Sequence, residues 1–285
     1  MTEPPTGPRP AHPRRPRRAS QLRLHRRFHS RILRNCRDVA VWLPPGYGAD
    51  PRRRHPVIYF HDGQNIFDPL TAFLGQAWQA GEAAEKLIAA RAIPAPILVG
   101  VYNTGFNRMN EYAPSPGEFT GWDKEKCRSA GDGKRYARFV ATELKPFIDA
   151  RYRTRPGPRD TATAGSSMGG LIALYCGLWH PRVFGAVAAM SPSIWWDDRV
   201  AFRDFGRLAR NPGFRVWLDT GMSEAGAETG VRLFRDLLVS RGWALGGDLE
   251  YREVPGASHN EAAWAARVGE VMAWLLAGGP ERGAT

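Results

Sequence analysis

Apolar residues along this chain fall into two patterns that alternate from end to end. The first is a short, nearly unbroken run: Val57-Ile58-Tyr59-Phe60, Ile97-Leu98-Val99-Gly100-Val101 and Phe184 to Met190. Runs of this kind predict strands covered on both faces, as in a parallel sheet. Asp38 to Leu43, Phe214 to Asp219 and residues 249–253 read as further strands. The second pattern repeats every three to four residues and predicts helices over 80–91, over 134–150 (Tyr136, Phe139, Val140, Leu144, Phe147, Ile148) and over 229–240. A closing helix carries Trp264, Val268, Val271, Met272 and Leu275 on one face. Strands alternating with helices predict an α/β fold with a mainly parallel central sheet flanked by helices on both faces.

One junction between the two patterns has unusual chemistry. Thr161 to Gly170 runs from small and β-branched residues into Gly165-Ser166-Ser167-Met168-Gly169, and the apolar series Leu171, Ile172, Leu174, Tyr175 and Leu178 follows at helical spacing. Strand, turn and helix therefore surround a G-x-S-x-G motif, as a nucleophile elbow requires. Gly165 and Gly169 flank Ser167 at two residues on either side, whereas Ser166 has Ala164 and Met168 there; the motif selects Ser167. In a chain with 31 glycines a bare G-x-S-x-G also fits a plain strand-to-helix turn with no chemistry, so the reading depends on an acid and a histidine further on.

The required order is nucleophile, acid, histidine. Of the seven histidines, only His259 follows the elbow in a loop between the last strand and the last helix; His180 closes the helix leaving the elbow. Two acids stand directly after a strand in between: Asp219 at the strand end and Glu224 in the turn beyond Gly221. Glu224 is favoured for its longer reach, with Asp219 the alternative and Asp248 a third choice. For an oxyanion, the backbone N–H of Met168 faces the site from the start of the helix. The loop His61-Asp62-Gly63-Gln64-Asn65 leaves a buried strand at the same sheet edge, and the N–H of Gln64 is the second candidate. A polar, aromatic segment at 102–121 forms part of the rim and offers Arg108, and Trp195 and Trp196 after Met190 are candidate walls of an acyl or aryl pocket.

Charge changes this picture little. The net charge of +12 suggests a nucleic-acid partner until it is mapped: residues 1–34 hold ten arginines and one glutamate, leaving only +3 for the rest. The excess belongs to a Pro/Arg-rich segment, expected to be a disordered tail over 1–35. The catalytic domain is then 36–279, with 280–285 a disordered end. Nucleic acid enters only as a contact of that tail. The paired arginines at 14–15 and 17–18 precede no apolar core, and no run is long enough to cross a bilayer, so the expectation is a cytoplasmic protein without a membrane partner. Cys36, Cys127 and Cys176 are odd in number and match no zinc spacing; neither metal nor cofactor is expected.

Taken together, Val41-Trp42-Leu43-Pro44-Pro45-Gly46-Tyr47, Tyr59 to Asn65, Asn110-Glu111-Tyr112, Gly165 to Gly170, Gly221-Met222-Ser223-Glu224 and His259 resemble the putative-esterase family of α/β-hydrolases, over residues 36–278. That family includes enterochelin-esterase-like enzymes, feruloyl and acetyl-xylan esterases, and mycolyltransferases. The resemblance implies a serine ester hydrolase working through an acyl-enzyme on a small-molecule ester. Its nucleophile is Ser167, its base His259, its acid matches Glu224, and its oxyanion donors match Gln64 and Met168. Acyl transfer to a sugar or other alcohol, and a hydrolase-fold binding protein without turnover, are the alternatives on the same scaffold. No N-terminal accessory domain of the kind some siderophore-directed members carry is recognisable in the sequence, so a dedicated siderophore hydrolase is the less expected reading.

Overall fold

The computed structural model describes residues 19–120, 126–224 and 226–277. In chain order they form β1 (Gln21–Ser30), β2 (Asn35–Leu43), β3 (Val57–His61), α1 (Ala80–Ala89), β4 (Ile97–Val101), α2 (Arg108–Tyr112), β5 (Gly117–Thr120), β6 (Lys126–Ser129), α3 (Gly133–Phe139) and α4 (Lys145–Arg151). Then come β7 (Thr161–Ser166), α5 (Met168–Trp179), β8 (Ala186–Met190), α6 (Trp196–Gly206), β9 (Arg215–Gly221), α7 (Ala227–Ser240), β10 (Leu249–Val254) and α8 (Glu261–Leu276).

Among these residues the main sheet has the order β1-β2-β4-β3-β7-β8-β9-β10, antiparallel at β1, β2 and β4 and parallel from β4 onward. β5 and β6 pair separately. The two faces of β3 show why its run is unbroken: Val57 and Tyr59 pack under α3 to α7, while Ile58 and Phe60 pack under α1 and α8. Every residue of β3, β4, β7 and β8 is buried. This is the helix-flanked, mostly parallel sheet of the α/β-hydrolase fold. The loops after β3, β7, β8 and β9, and the loop after β10, all leave the carboxyl edge of the parallel strands, where such sheets bind ligands.

Two expectations need correction. Part of the expected tail is folded, since Gln21 to Ser30 is the edge strand β1, paired with β2 from Gln21↔Leu43 to Ser30↔Asn35. The segment has too few apolar residues to fold alone, but it does not fold alone: β2 supplies the hydrogen-bonding edge, and Phe28 packs its ring on Phe139 and Phe147. Residues 1–18 and 280–285 lie outside the described residues. The helix expected over 134–150 is interrupted by one π turn at Val140–Leu144. Just beyond it, Pro146 has no N–H to return to the carbonyl four residues back.

Candidate active site

Ser167 occupies the turn between β7 and α5 with φ 56° and ψ −126°, a conformation rarely adopted by a residue with a side chain. The turn is tight enough that a Cβ on Gly165 would lie 2.5 Å from the backbone carbon of Gly169. Three backbone bonds fix the strained residue: its N–H donates to Met190 (3.0 Å), and its carbonyl accepts from Leu171 (3.0 Å) and Ser193 (3.1 Å). Its hydroxyl lies 3.2 Å from Ser193 Oγ. Sequence reasoning passed over Ser193, although Ser191-Pro192-Ser193 stood in view at the end of a core strand.

His259 lies in the loop between β10 and α8, which is closed by the Asn260 side chain accepting the N–H of Ala263 at 2.9 Å. Its ring stands edge-on to Trp264 with centroids 4.9 Å apart. Nδ1 is 2.9 Å from Glu224 Oε2. Glu224 is held from the other side, because its Oε1 accepts the N–H of Gly221 (2.7 Å) and the hydroxyl of Ser191 (2.6 Å). Burial alone would raise this carboxyl, but the donors from His259, Ser191 and Gly221 outweigh it and hold Glu224 below the usual range. Of the two candidate acids, then, Glu224 meets the imidazole. Asp219 is wholly buried and forms a two-pronged pair with Arg267, through Nε (3.1 Å) and Nη2 (2.9 Å).

The loop after β3 is built on a buried polar layer. His61 bridges Tyr136 Oη and Thr163 Oγ1, each at 3.0 Å, and burial drives its pKa down to about 4, so it is neutral at pH 7. Asp62 takes a left-handed turn (φ 54°), and Gly63 then passes so close to β4 that a Cβ would meet Gly100 at 2.2 Å. Burial would raise the Asp62 carboxyl, but the Arg108 guanidinium and the Asn103 amide hold it below its ordinary value. Arg108 grips it with Nε at 2.8 Å and Nη2 at 2.7 Å.

Ser167, His259, Gln64, Arg108, Phe73 and Glu261 are among the residues lining one cleft of about 500 Å³. Met168 lies directly behind Ser167 as the first residue of α5. Within this cleft the nucleophile candidate rests on Ser193 and not on the imidazole, a looseness common before substrate binds. A larger hollow of about 710 Å³, near Pro45 and Ile93, opens at the amino edge of the parallel strands, away from this chemistry. Glu261 escaped sequence reasoning as a site residue: it accepts from Asn65 Nδ2 (2.9 Å) and from the Trp78 indole, and burial raises it to about 7.

The tryptophan pair does not wall this cleft. Trp196 is fully buried, its N–H given to the Ser115 carbonyl (3.1 Å) and its ring set against Gly117 and Phe119. Trp195 is 57% exposed and outside the cleft lining. The local turn into α6 sends one indole to the core and the other to solvent. Among the described residues no group of three or more His, Cys, Asp or Glu is arranged to hold a metal ion.

Comparison with known proteins bears on the family and the fold. The family described as "Putative esterase" matches residues 30–275. The chain is similar to the uncharacterized protein YbbA of Bacillus subtilis, with 27% identity over 198 residues that cover 67% of this chain and 70% of that one. It is also similar to an iron(III) enterobactin esterase of Dickeya dadantii, with 28% identity over 149 residues, 48% of this chain but only 33% of that enzyme. The chain thus matches about a third of that relative's length. Among solved structures, an IroE-like serine hydrolase of Shewanella oneidensis superposes with a TM-score of 0.72 over 90% of this chain and 80% of that one, at 20% identity, a likeness of fold.

Proposed function

Because the chain belongs to the "Putative esterase" family, we propose that it hydrolyses carboxylic esters of small molecules, with Ser167 as nucleophile, His259 as general base and acid, and Glu224 as the carboxylate behind the imidazole. The observation that carries this reading is the 2.9 Å bond between an anchored Glu224 and His259 at a cleft that Ser167 also lines. Glu224 Oε2 is an acceptor, so it selects the tautomer with the proton on Nδ1 and leaves Nε2 as the base.

As an ester enters, Ser167 Oγ turns from Ser193 toward Nε2 and gives up its proton while attacking the carbonyl carbon. The oxyanion is held by the N–H groups of Gln64 and Met168, whose alignment is fixed before reaction and costs no reorganisation. The imidazolium, stabilised by Glu224, protonates the departing alcohol. Water, deprotonated by His259, then attacks the acyl-enzyme and releases the acid. The elbow strain at Ser167 serves the same end, because it keeps the hydroxyl clear of its own helix.

Ser167→Ala is expected to lower p-nitrophenyl acetate turnover by about three orders of magnitude or more with an unchanged circular dichroism spectrum. Parental turnover in that variant would remove Ser167 from the reaction. The iron(III) enterobactin named for the Dickeya relative is one ester to include in the substrate panel.

A further inference from the structure

Behind Glu224 lies a second, wholly buried charge pair that the catalytic steps above do not use. Ser191 directly follows β8 with φ 42° and is 2% exposed. Its hydroxyl is the meeting point of three side chains: it accepts from Arg267 Nη2 at 2.9 Å and from Trp264 Nε1 at 3.2 Å, and it faces Glu224 Oε1 at 2.6 Å. A hydroxyl has one proton. Guanidinium and indole are donors only, so both acceptor sites of the Ser191 oxygen are taken and its proton has one destination, Glu224. That direction requires Oε1 to be an acceptor. Gly221 N–H donates to the same oxygen, which leaves Oε2 for the imidazole.

Arg267 is fixed in its turn. Asp219 takes its Nε and one Nη2 proton, and the Ala263 carbonyl takes Nη1 at 2.9 Å. Every group facing Asp219 is a donor: the guanidinium, the Trp217 indole (2.8 Å) and the Ser191 N–H (3.2 Å). The chain of polarity therefore runs without a break from Asp219 through Arg267 and Ser191 to Glu224 and His259. Resting on the hydrolase reading, we infer that Ser191 and the Asp219–Arg267 pair are positioning residues that fix Glu224 as an anionic acceptor aimed at His259. Their contribution is made through Glu224 and grows as the imidazolium forms, so it falls on kcat and not on KM.

The test is a double-mutant cycle on ester turnover. Ser191→Gly removes the hydroxyl without straining a left-handed residue. In the parental background it is expected to lower kcat about tenfold with KM nearly constant, the size of one hydrogen bond to a charged group. In a Glu224→Ala background the same substitution is expected to change kcat less than about twofold, because the residue it acts through is gone. Full tenfold losses in both backgrounds, or a loss confined to KM, would overturn the proposal. Arg267→Lys serves as a second arm should Ser191→Gly fold poorly: it keeps the charge beside Asp219 but not the fork that also reaches Ser191, and the same dependence on Glu224 is expected. Ser167→Ala is run alongside. If it retains activity the hydrolase reading fails; if it is inactive and the cycle is additive, only the positioning inference fails.

Discussion

Ser193 Oγ lies 3.2 Å from Ser167 Oγ, while the Ser193 N–H donates to the Ser167 carbonyl, so one residue grips both ends of the strained serine. On the proposed mechanism this hydroxyl contact competes with the His259 imidazole for Ser167 Oγ. Ser193→Ala is expected to speed labelling of Ser167 by a fluorophosphonate up to about fivefold, the equivalent of one neutral hydrogen bond. A slower labelling rate would mean that Ser193 assists attack and does not restrain it.

The Arg108–Asp62 pair lies at the cleft wall with Asp62 almost buried and Arg108 about a quarter exposed. Removing the cation leaves a buried carboxylate without its counter-charge and with only the Asn103 amide as a side-chain donor. Arg108→Met is therefore expected to cost about 3 kcal/mol in urea unfolding. Arg108→Lys keeps the charge, gives up the two-pronged geometry and is expected to cost about 1 kcal/mol. Equal midpoints for parent and Arg108→Met would show that the pair contributes nothing.

Glu261 gives a pH dependence of definite sign. Burial raises its carboxyl from the ordinary 4.5 to about 7, so the folded chain holds this proton more tightly than the unfolded chain. Its contribution is fully present below pH 4.5 and is lost as pH rises through 7. Relative to Glu261→Gln, which cannot ionise, the parent is expected to lose melting temperature between pH 5 and pH 8. A constant difference across that window would contradict the assignment.

Gly165 and Gly169 flank Ser167 symmetrically in sequence but not in space. A Cβ at Gly165 would meet rigid backbone at 2.5 Å, whereas one at Gly169 would meet Asp62 Oδ2 at 3.1 Å. Gly165→Ala is expected to destabilise by about 3 kcal/mol. Gly169→Ala lies in α5, where alanine is the better helix former, and should stay within about 1 kcal/mol of the parent. Thermal melts of the two variants separate these outcomes.

Much of this was legible in the chain because the signals were local. Unbroken apolar runs marked β3, β4 and β8, and glycine spacing singled out Ser167. The position of His259 between the last strand and last helix followed from chain order alone. What was missed depends on partners distant in sequence. β1 has a weak pattern of its own and exists because β2 offers an edge. Trp195 and Trp196 look equivalent side by side, yet one turn sends them to opposite environments. Arg267 was passed over for the same reason. It sits on the apolar face of α8 between Trp264 and Val268, where a cation is out of place, and only the Asp219 carboxylate from β9 explains it.

The most direct test is peptide mapping of the trapped enzyme after brief reaction with a fluorophosphonate. A single adduct on Ser167, formed at least about a hundredfold more slowly in His259→Ala, is the predicted result. An adduct on another residue, or undiminished labelling without His259, would contradict the account.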